Sequence, residues 1–410
     1  MADTTPLERF RRTLAWQNRM LAWFGLYVYM GQHRYTYRLV VTLLLCVSFF
    51  IFTVYSAIIS WGNAAEVMFS VVTVFYDFVG LTRLAILLSY PDDCYRVVQL
   101  AEQMYENDDP GTLLLSSGAA SHQQHHHRQA KEQVLIRYTD LFQHSVTIFT
   151  VCFLSSIALV VMLPFVMYIF TGDMILPLGV WLPYMDPREP VGYWVTLGVQ
   201  LMYIIAGPLA LTPSQNVYFA FIFNICMQYE LLTVQLDELD ATIERNSSQV
   251  PVNAAAKAAG RVLVRDQLVR IIEYQQKCRN YIRIIEKCYA NQTFVEFFCS
   301  SGQVALMFYE FRRTFWLPGL FVMPAAILQM LIQCGLGTLI EMRCDQFTTK
   351  LCAISWLRME RTEQKMYQFV VASAQQPARL TCGGIGVINM NLFLAIYKKV
   401  YSFFMMLRNF

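Results

Sequence analysis

Apolar positions in this chain fall in long unbroken runs separated by charged stretches, not in the short alternations of half-buried strands. Runs at 39–59, 64–88, 145–170, 193–213, 293–311, 316–341 and 383–407 each approach or exceed the roughly 20 residues a helix needs to cross a bilayer. The fifth is the most polar, with Glu296, Ser300, Ser301 and Gln303 inside it. The pattern predicts an all-α, polytopic membrane protein with seven transmembrane helices. The first run follows a charged and aromatic lead and is too long for the apolar core of a signal peptide, so none is expected.

Seven spans put the two termini on opposite sides, and the basic residues choose which. Six lie in 1–38, four in 89–144, nine in 214–292 and six in 342–382. The alternate connections hold only Arg188, Arg312 and Arg313. By the positive-inside rule the N-terminus is cytoplasmic and the C-terminus external. The sequons at Asn246 and Asn291 then lie inside and are expected to stay unmodified.

One stretch competes with this count. After Pro208 and Pro213 comes "NVYFAFIFNICMQYELLTVQL", which is apolar enough to cross. Crossing would expose nine basic residues outside, so one long fourth helix over 193–243 is preferred, about 75 Å in length. Its apolar surface then needs partners beneath the membrane. The amphipathic stretches 262–290 and 344–372 fit that need, forming a cytoplasmic anchor bundle, unless they lie flat on lipid headgroups.

Composition agrees: 56% hydrophobic and 15% charged is a membrane balance, and a net charge of +3 offers nothing to nucleic acid. The insert 110–131 holds His122, His125, His126 and His127 among Ser, Gln, Ala and Gly, which favours a flexible segment over a metal site. Eleven cysteines form no CxxC pair and read as free thiols. No nucleophile motif, phosphate loop or HExxH occurs, so no enzyme, cofactor or metal is expected.

Charged residues within the runs carry the remaining information. Asp77 sits near the middle of the second run, where it pairs with a lysine or meets a ligand; Arg83 is close enough to the inner end to snorkel. On a helix over 383–407, Asn391, Ala395, Lys399 and Ser402 all fall within about 60° of Met406. Such a stripe lines a water-filled, gated pore, or packs on another helix with Lys399 paired to a carboxylate.

The C-terminal third resembles the signature of insect odorant receptors. The resemblance rests on Trp356, Pro377-x-x-Leu380-Thr381-x-Gly383, Tyr401-Ser402 and Leu407. "GVWLPYMDPREPVGYW" is similar to the family's second extracellular loop, while Gln333 departs from an aromatic often found before that cysteine. The resemblance implies an odour-tuning subunit of a ligand-gated, non-selective cation channel. It implies a heterotetramer with the odorant co-receptor, in the plasma membrane of an olfactory neuron dendrite. A gustatory receptor, a secondary transporter and a G-protein-coupled receptor are the alternatives.

On this basis 1–341 holds six spans and the ligand pocket, 342–382 joins 214–292 in the anchor bundle, and 383–410 is the pore-lining span. The resemblance implies an apolar odorant pocket in the outer half of the spans. Helical spacing there suggests Phe69, Val72, Thr73 and Tyr76; Ile157, Val161 and Phe165; and Val199, Met202 and Tyr203. Asn391, Lys399 and Ser402 would line the pore, with Met406 and Phe410 at the gate. Expected partners are the co-receptor, a small volatile odorant and membrane lipid, with no nucleic acid.

Overall fold

A computed structural model describes residues 5–31, 36–108, 122–172, 174–186, 189–248, 254–313, 317–376 and 379–408. Phe410 and Pro377 lie outside the described residues, as do the side chains of the His122–His127 group. Among the described residues there are ten α-helices and one two-residue-per-strand hairpin. The helices are α1 (Pro6–Trp23), α2 (Tyr37–Ile59), α3 (Ala64–Ser89), α4 (Pro91–Asp108) and α5 (His122–Thr171). They continue as α6 (Pro190–Ser248), α7 (Ala254–Arg313), α8 (Leu317–Ala353), α9 (Arg361–Ala374) and α10 (Met390–Arg408). Five of them, α2, α3, α5, α6 and α8, are long and apolar enough by themselves to cross a membrane. On α2 the outward face is Val40, Leu44, Val47, Ile51 and Ile58, all exposed, as a lipid-facing stripe requires.

The fourth run does continue as one helix. α6 has 59 residues, about 90 Å, with Pro208 and Pro213 inside it. Its second apolar stretch needs no lipid. From Val217 to Leu232 nearly every side chain is buried, Phe219, Phe221 and Leu231 completely. A helix that is apolar all round sits at the centre of a bundle, and α1, α4, α5, α7 and α8 surround this one. Phe221 meets Tyr29, Tyr281 and Tyr289, while Phe149 packs edge-on against Phe219.

Ion pairs tie the basic segments to one another at that end. Arg9 pairs with Asp140, Arg11 with Glu106, Arg137 and Arg343 with Glu230, and Lys287 with Asp93. Lys350–Asp237 and Arg261–Glu360 join α8 and α9 to α6 and α7. The four stretches that hold most of the basic residues thus share one end of the molecule. α1 enters this bundle through a capping box, Thr5 with Glu8, and buries Leu7, Phe10, Leu14 and Leu21. Phe10 stacks on Tyr105 with centroids 4.7 Å apart.

Three expected elements differ. The amphipathic stretch 262–290 and the fifth run are one 60-residue helix, α7, without a break. The stretch 344–372 is not one helix: α8 ends at Ala353, a 3-10 turn spans Trp356–Arg358, and α9 follows. There Trp356 stacks on Tyr367, whose hydroxyl donates to the Leu351 carbonyl at 2.5 Å. The last helix starts at Met390, not 383, because 381–387 form the hairpin Thr381–Cys382 with Gly386–Val387. Gly383 takes φ +61°, and a Cβ there would lie 2.9 Å from the Cβ of Phe294, so glycine is required. Gly383 N–H donates to the Ala290 carbonyl and the Thr381 amide to Glu286, which docks the hairpin on α7. The 122–131 part of the expected flexible insert is helical, as the first turns of α5.

Candidate functional site

Two apolar cavities lie end to end among the membrane helices, separated by Phe49, Tyr76 and Tyr203, which line both. Phe49 and Tyr203 hold each other with ring centroids 4.5 Å apart, and the Tyr203 hydroxyl bonds to Ser48 at 2.7 Å. The outer cavity, about 100 Å³, is walled by α2, α3, α5, α6, α7 and α8. The inner one, about 80 Å³, lies nearer the bundle end of α3 and reaches Phe24, Leu87 and Ser214.

Six expected pocket residues line the outer cavity: Phe69, Val72, Thr73, Tyr76, Ile157 and Tyr203. Four do not. Val161, Phe165 and Val199 are half-buried outside it, and Met202 is exposed on the outer surface of α6. Val161 and Val199 share the faces of Ile157 and Tyr203 but lie one turn away along α5 and α6, so helical spacing gave the face and not the depth of the cavity, while Met202 points about 100° away from Tyr203. The walls also include residues that spacing did not suggest: Phe49, Phe153, Pro177, Leu178, Gln303 and Met307. Gln303 had left a signal, a polar side chain inside an apolar run. Its amide donates to the Val72 carbonyl at 3.1 Å, tying α7 to α3 behind the cavity.

The connection between α5 and α6 folds back over the outer cavity, placing Pro177 and Leu178 in its wall. Gln200, fully buried, clamps it. The Gln200 amide donates to the carbonyls of Leu178 (3.0 Å) and Val180 (2.8 Å), and its oxygen accepts from the Leu178 N–H (3.1 Å). Ser70 donates to the Gly179 carbonyl at 2.9 Å, and the Trp181 N–H donates to Ser56 at 2.6 Å. The loop comes so close to α3 that a Cβ on Gly179 would lie 2.8 Å from the Ser70 nitrogen.

Beside the cavities lies a buried ion pair. Arg83 Nε donates to Glu296 at 2.6 Å, with side chains only 5% and 2% exposed. Arg83 also donates to Gln215 (2.5 Å) and to the Leu211 carbonyl (3.3 Å). Glu296 accepts from Gln292 and Gln333, both at 2.7 Å, and from Gln329 at 3.4 Å. Arg83 therefore does not snorkel; Glu296 holds it within the helix packing. The same contact explains the polar fifth run and the glutamine at 333. Among the described residues Asp77 has no cation partner: it is 7% exposed, lines the inner cavity, and its Oδ2 has no hydrogen-bond partner.

On α10, Asn391, Ala395, Lys399, Ser402 and Met406 are all exposed, as is Lys398. The opposite face, with Val400 buried and Phe404 against Phe308, packs on α7. Among the described residues no carboxylate lies within salt-bridge distance of Lys399. The polar stripe is thus unpartnered within its own chain. Asn389 starts the helix by accepting from the Leu392 N–H, and Thr338 of α8 caps Met390. Gly337 lets this junction approach, since a Cβ there would clash with the Ile388 carbonyl at 2.0 Å.

Outside the membrane-crossing parts, thiols are sealed in the bundle. Burial pushes the Cys344 thiol up to about 12, and Cys226 and Cys94 are raised further, Cys94 chiefly through its contact with Cys288. None of the eleven cysteines is disulfide-bonded. Among the described residues no group of His, Cys, Asp or Glu is placed to hold a metal.

A family model described as 7tm Odorant receptor matches residues 63–401. The chain is 21% identical to putative odorant receptor 83c of Drosophila melanogaster, over 63% of this chain and 65% of that protein. It is 20% identical to odorant receptor 30a of the same species, over 60% and 62%. The matches therefore span just under two thirds of these relatives' length. Among solved structures it resembles the insect olfactory receptor OR5 from Machilis hrabei in complex with eugenol, with a TM-score of 0.73, 14% identity, and 98% of both chains covered. The structure of the same receptor described without eugenol gives a TM-score of 0.69 at 12% identity, over 97% of this chain and 98% of that one.

Proposed function

The chain belongs to the 7tm odorant receptor family, and on that premise we propose that it is an odour-tuning subunit of an odorant-gated, non-selective cation channel. The observation that carries this reading is the apolar outer cavity beneath the clamped loop. A protein of the same fold is described in complex with eugenol, a small aromatic molecule. A volatile of that size would be held here by burial and shape, with micromolar affinity. At about 100 Å³ the outer cavity is smaller than the roughly 150 Å³ that admits benzene. Entry of a ligand therefore moves the Phe49–Tyr76–Tyr203 partition, which couples occupancy to the packing of α2, α3 and α6.

The unpartnered face of α10 supports the channel half of the reading. Four such faces around one axis would form a pore lined by Asn391, Lys399 and Ser402, with Met406 at its outer constriction. Four copies of Lys399 would repel cations, so one or two copies among co-receptor subunits suit the pore better. The ligand acts by binding more tightly to the arrangement in which Met406 has swung aside. The bundle of α1, α4, α9 and the inner parts of α5 to α8 then lies in the cytosol and holds subunits together. The assembly sits in the plasma membrane, in an olfactory neuron dendrite.

Expression with and without the odorant co-receptor, with currents recorded across an odour panel, tests the reading. Odorant-evoked cation currents only in the co-expressed state support it; substrate flux without channel currents indicates a transporter instead. Glycosidase treatment tests the orientation: a mobility shift that maps to Asn246 or Asn291 would invert the topology.

A further inference from the structure

Behind the partition, the inner cavity holds two charged side chains, Asp77 and Arg83. Arg83 is fully committed to Glu296, Gln215 and the Leu211 carbonyl. The other polar groups with assigned bonds are also engaged. Thr42 donates to the carbonyls of Phe24 and Arg38, Ser214 donates to Leu211, and Tyr203 bonds to Ser48. Asp77 alone among these has a buried oxygen without a donor, and no cation balances it. An uncompensated carboxylate away from water is unfavourable, and in the empty cavity a proton offsets that cost. A ligand bringing both a positive charge and N–H donors offsets it instead with the carboxylate ionised.

The surroundings favour that same chemistry. Phe49, Tyr76 and Tyr203 line the same cavity as Asp77, and a cation is attracted to aromatic faces. Arg83 does not repel an incoming cation strongly, because Glu296 neutralises it at 2.6 Å. The two cavities, about 80 and 100 Å³, share Phe49, Tyr76 and Tyr203 in their walls, so a molecule that displaces these rings can reach from one into the other.

We infer that the inner cavity is an ammonium subsite, and that this chain responds to small amines whose charged head meets Asp77 while the apolar body extends past Tyr76 into the outer cavity. The inference rests on the odorant-receptor reading and names the ligand class for it. A neutral alcohol of the same shape offers Asp77 one hydrogen bond and no charge, so it binds less tightly.

The test compares 2-phenylethylamine with its neutral isostere 2-phenylethanol on two readouts. One is the shift in unfolding temperature of the purified full-length chain in detergent micelles. The other is the half-maximal concentration for currents with the co-receptor. The amine is expected to act at concentrations at least about tenfold lower than the alcohol, and Asp77→Asn is expected to collapse that ratio towards one. Gly207→Leu serves as a second variant if Asp77→Asn fails to fold. Its Cβ meets open space and it lines the inner cavity, so the added side chain fills the subsite with the carboxylate left in place. It should abolish the amine preference likewise. An amine-to-alcohol ratio near one in the unaltered chain, or an unchanged ratio in either folded variant, overturns the inference. Neutral odorants that gate currents while the amine gives no thermal shift defeat the inference and leave the channel reading intact. An Asp77-dependent thermal shift without any odorant-gated current supports the subsite and defeats the channel reading.

Discussion

The Arg83–Glu296 pair allows a quantitative test, because both charges are buried and the partners lie on different helices, 213 residues apart in sequence. Replacing Glu296 by Leu leaves a guanidinium with only Gln215 and one carbonyl. A buried ion stripped of its partner costs about 3–5 kcal/mol. After Arg83→Met, Glu296 keeps the amides of Gln292, Gln329 and Gln333 as donors, so that change should do less damage than Glu296→Leu. Replacing both residues removes the unpaired charge. An apolar pair of similar volume is neutral to a few kcal/mol stabilising, set against about 1 kcal/mol for each of Gln292 and Gln333, which lose their acceptor. The double variant should therefore stay within about 2 kcal/mol of the unaltered chain, with a coupling of at least about 2 kcal/mol between the sites. In detergent micelles, the temperature at which half the folded chromatographic peak is lost should fall by roughly 3–6 °C for Glu296→Leu and by much less for the double variant. A single variant as stable as the double would refute the buried pair.

Three further outcomes follow from the geometry. Gln200→Ala removes three bonds to the outer loop, a loss of about 2–4 kcal/mol felt locally. The half-maximal odorant concentration should rise at least severalfold with surface expression retained, and an unchanged dose-response curve would show that the loop does not close the cavity. Alkylation of the intact chain at pH 8 should mark exposed Cys352 first. Cys344, raised to about 12 by burial, presents roughly one thiolate in ten thousand at that pH, so peptide mass spectrometry should find it unmodified until the chain unfolds. Lys399→Glu changes the pore charge by two units, worth on the order of 1 kcal/mol to a passing cation after screening. Single-channel cation conductance should increase severalfold, and unaltered permeation would place Lys399 on a dry, packed face.

Several features were legible before any coordinates because a single helix carries them. The apolar runs and the long fourth helix belong to this class. The polar face of α10 does too, since 100° per residue fixes which side chains share a side. The hairpin at 381–387 leaves a signal in the consecutive glycines Gly383 and Gly384, but the apolar content of the stretch from 383 onward hides it in a one-dimensional pattern. Features that depend on two helices were not legible. Arg83 looked able to reach the membrane surface only because Glu296 is remote in sequence. Val161, Phe165, Val199 and Met202 lie outside the cavity because packing sets its depth along α5 and α6, which spacing on one helix does not carry.

Taken alone, the order of residues determined where the long apolar runs lie and which connections between them carry the basic groups. Those follow from local periodicity and from charge counted along one dimension. Only the tertiary structure decided that Val217–Leu232 is a bundle core and not a crossing, that the outer loop roofs one cavity, and that Asp77 faces the other, inner cavity. Each depends on which helix faces meet. That is settled by the collective packing of side chains distant along the chain, for which a linear pattern carries no coordinate.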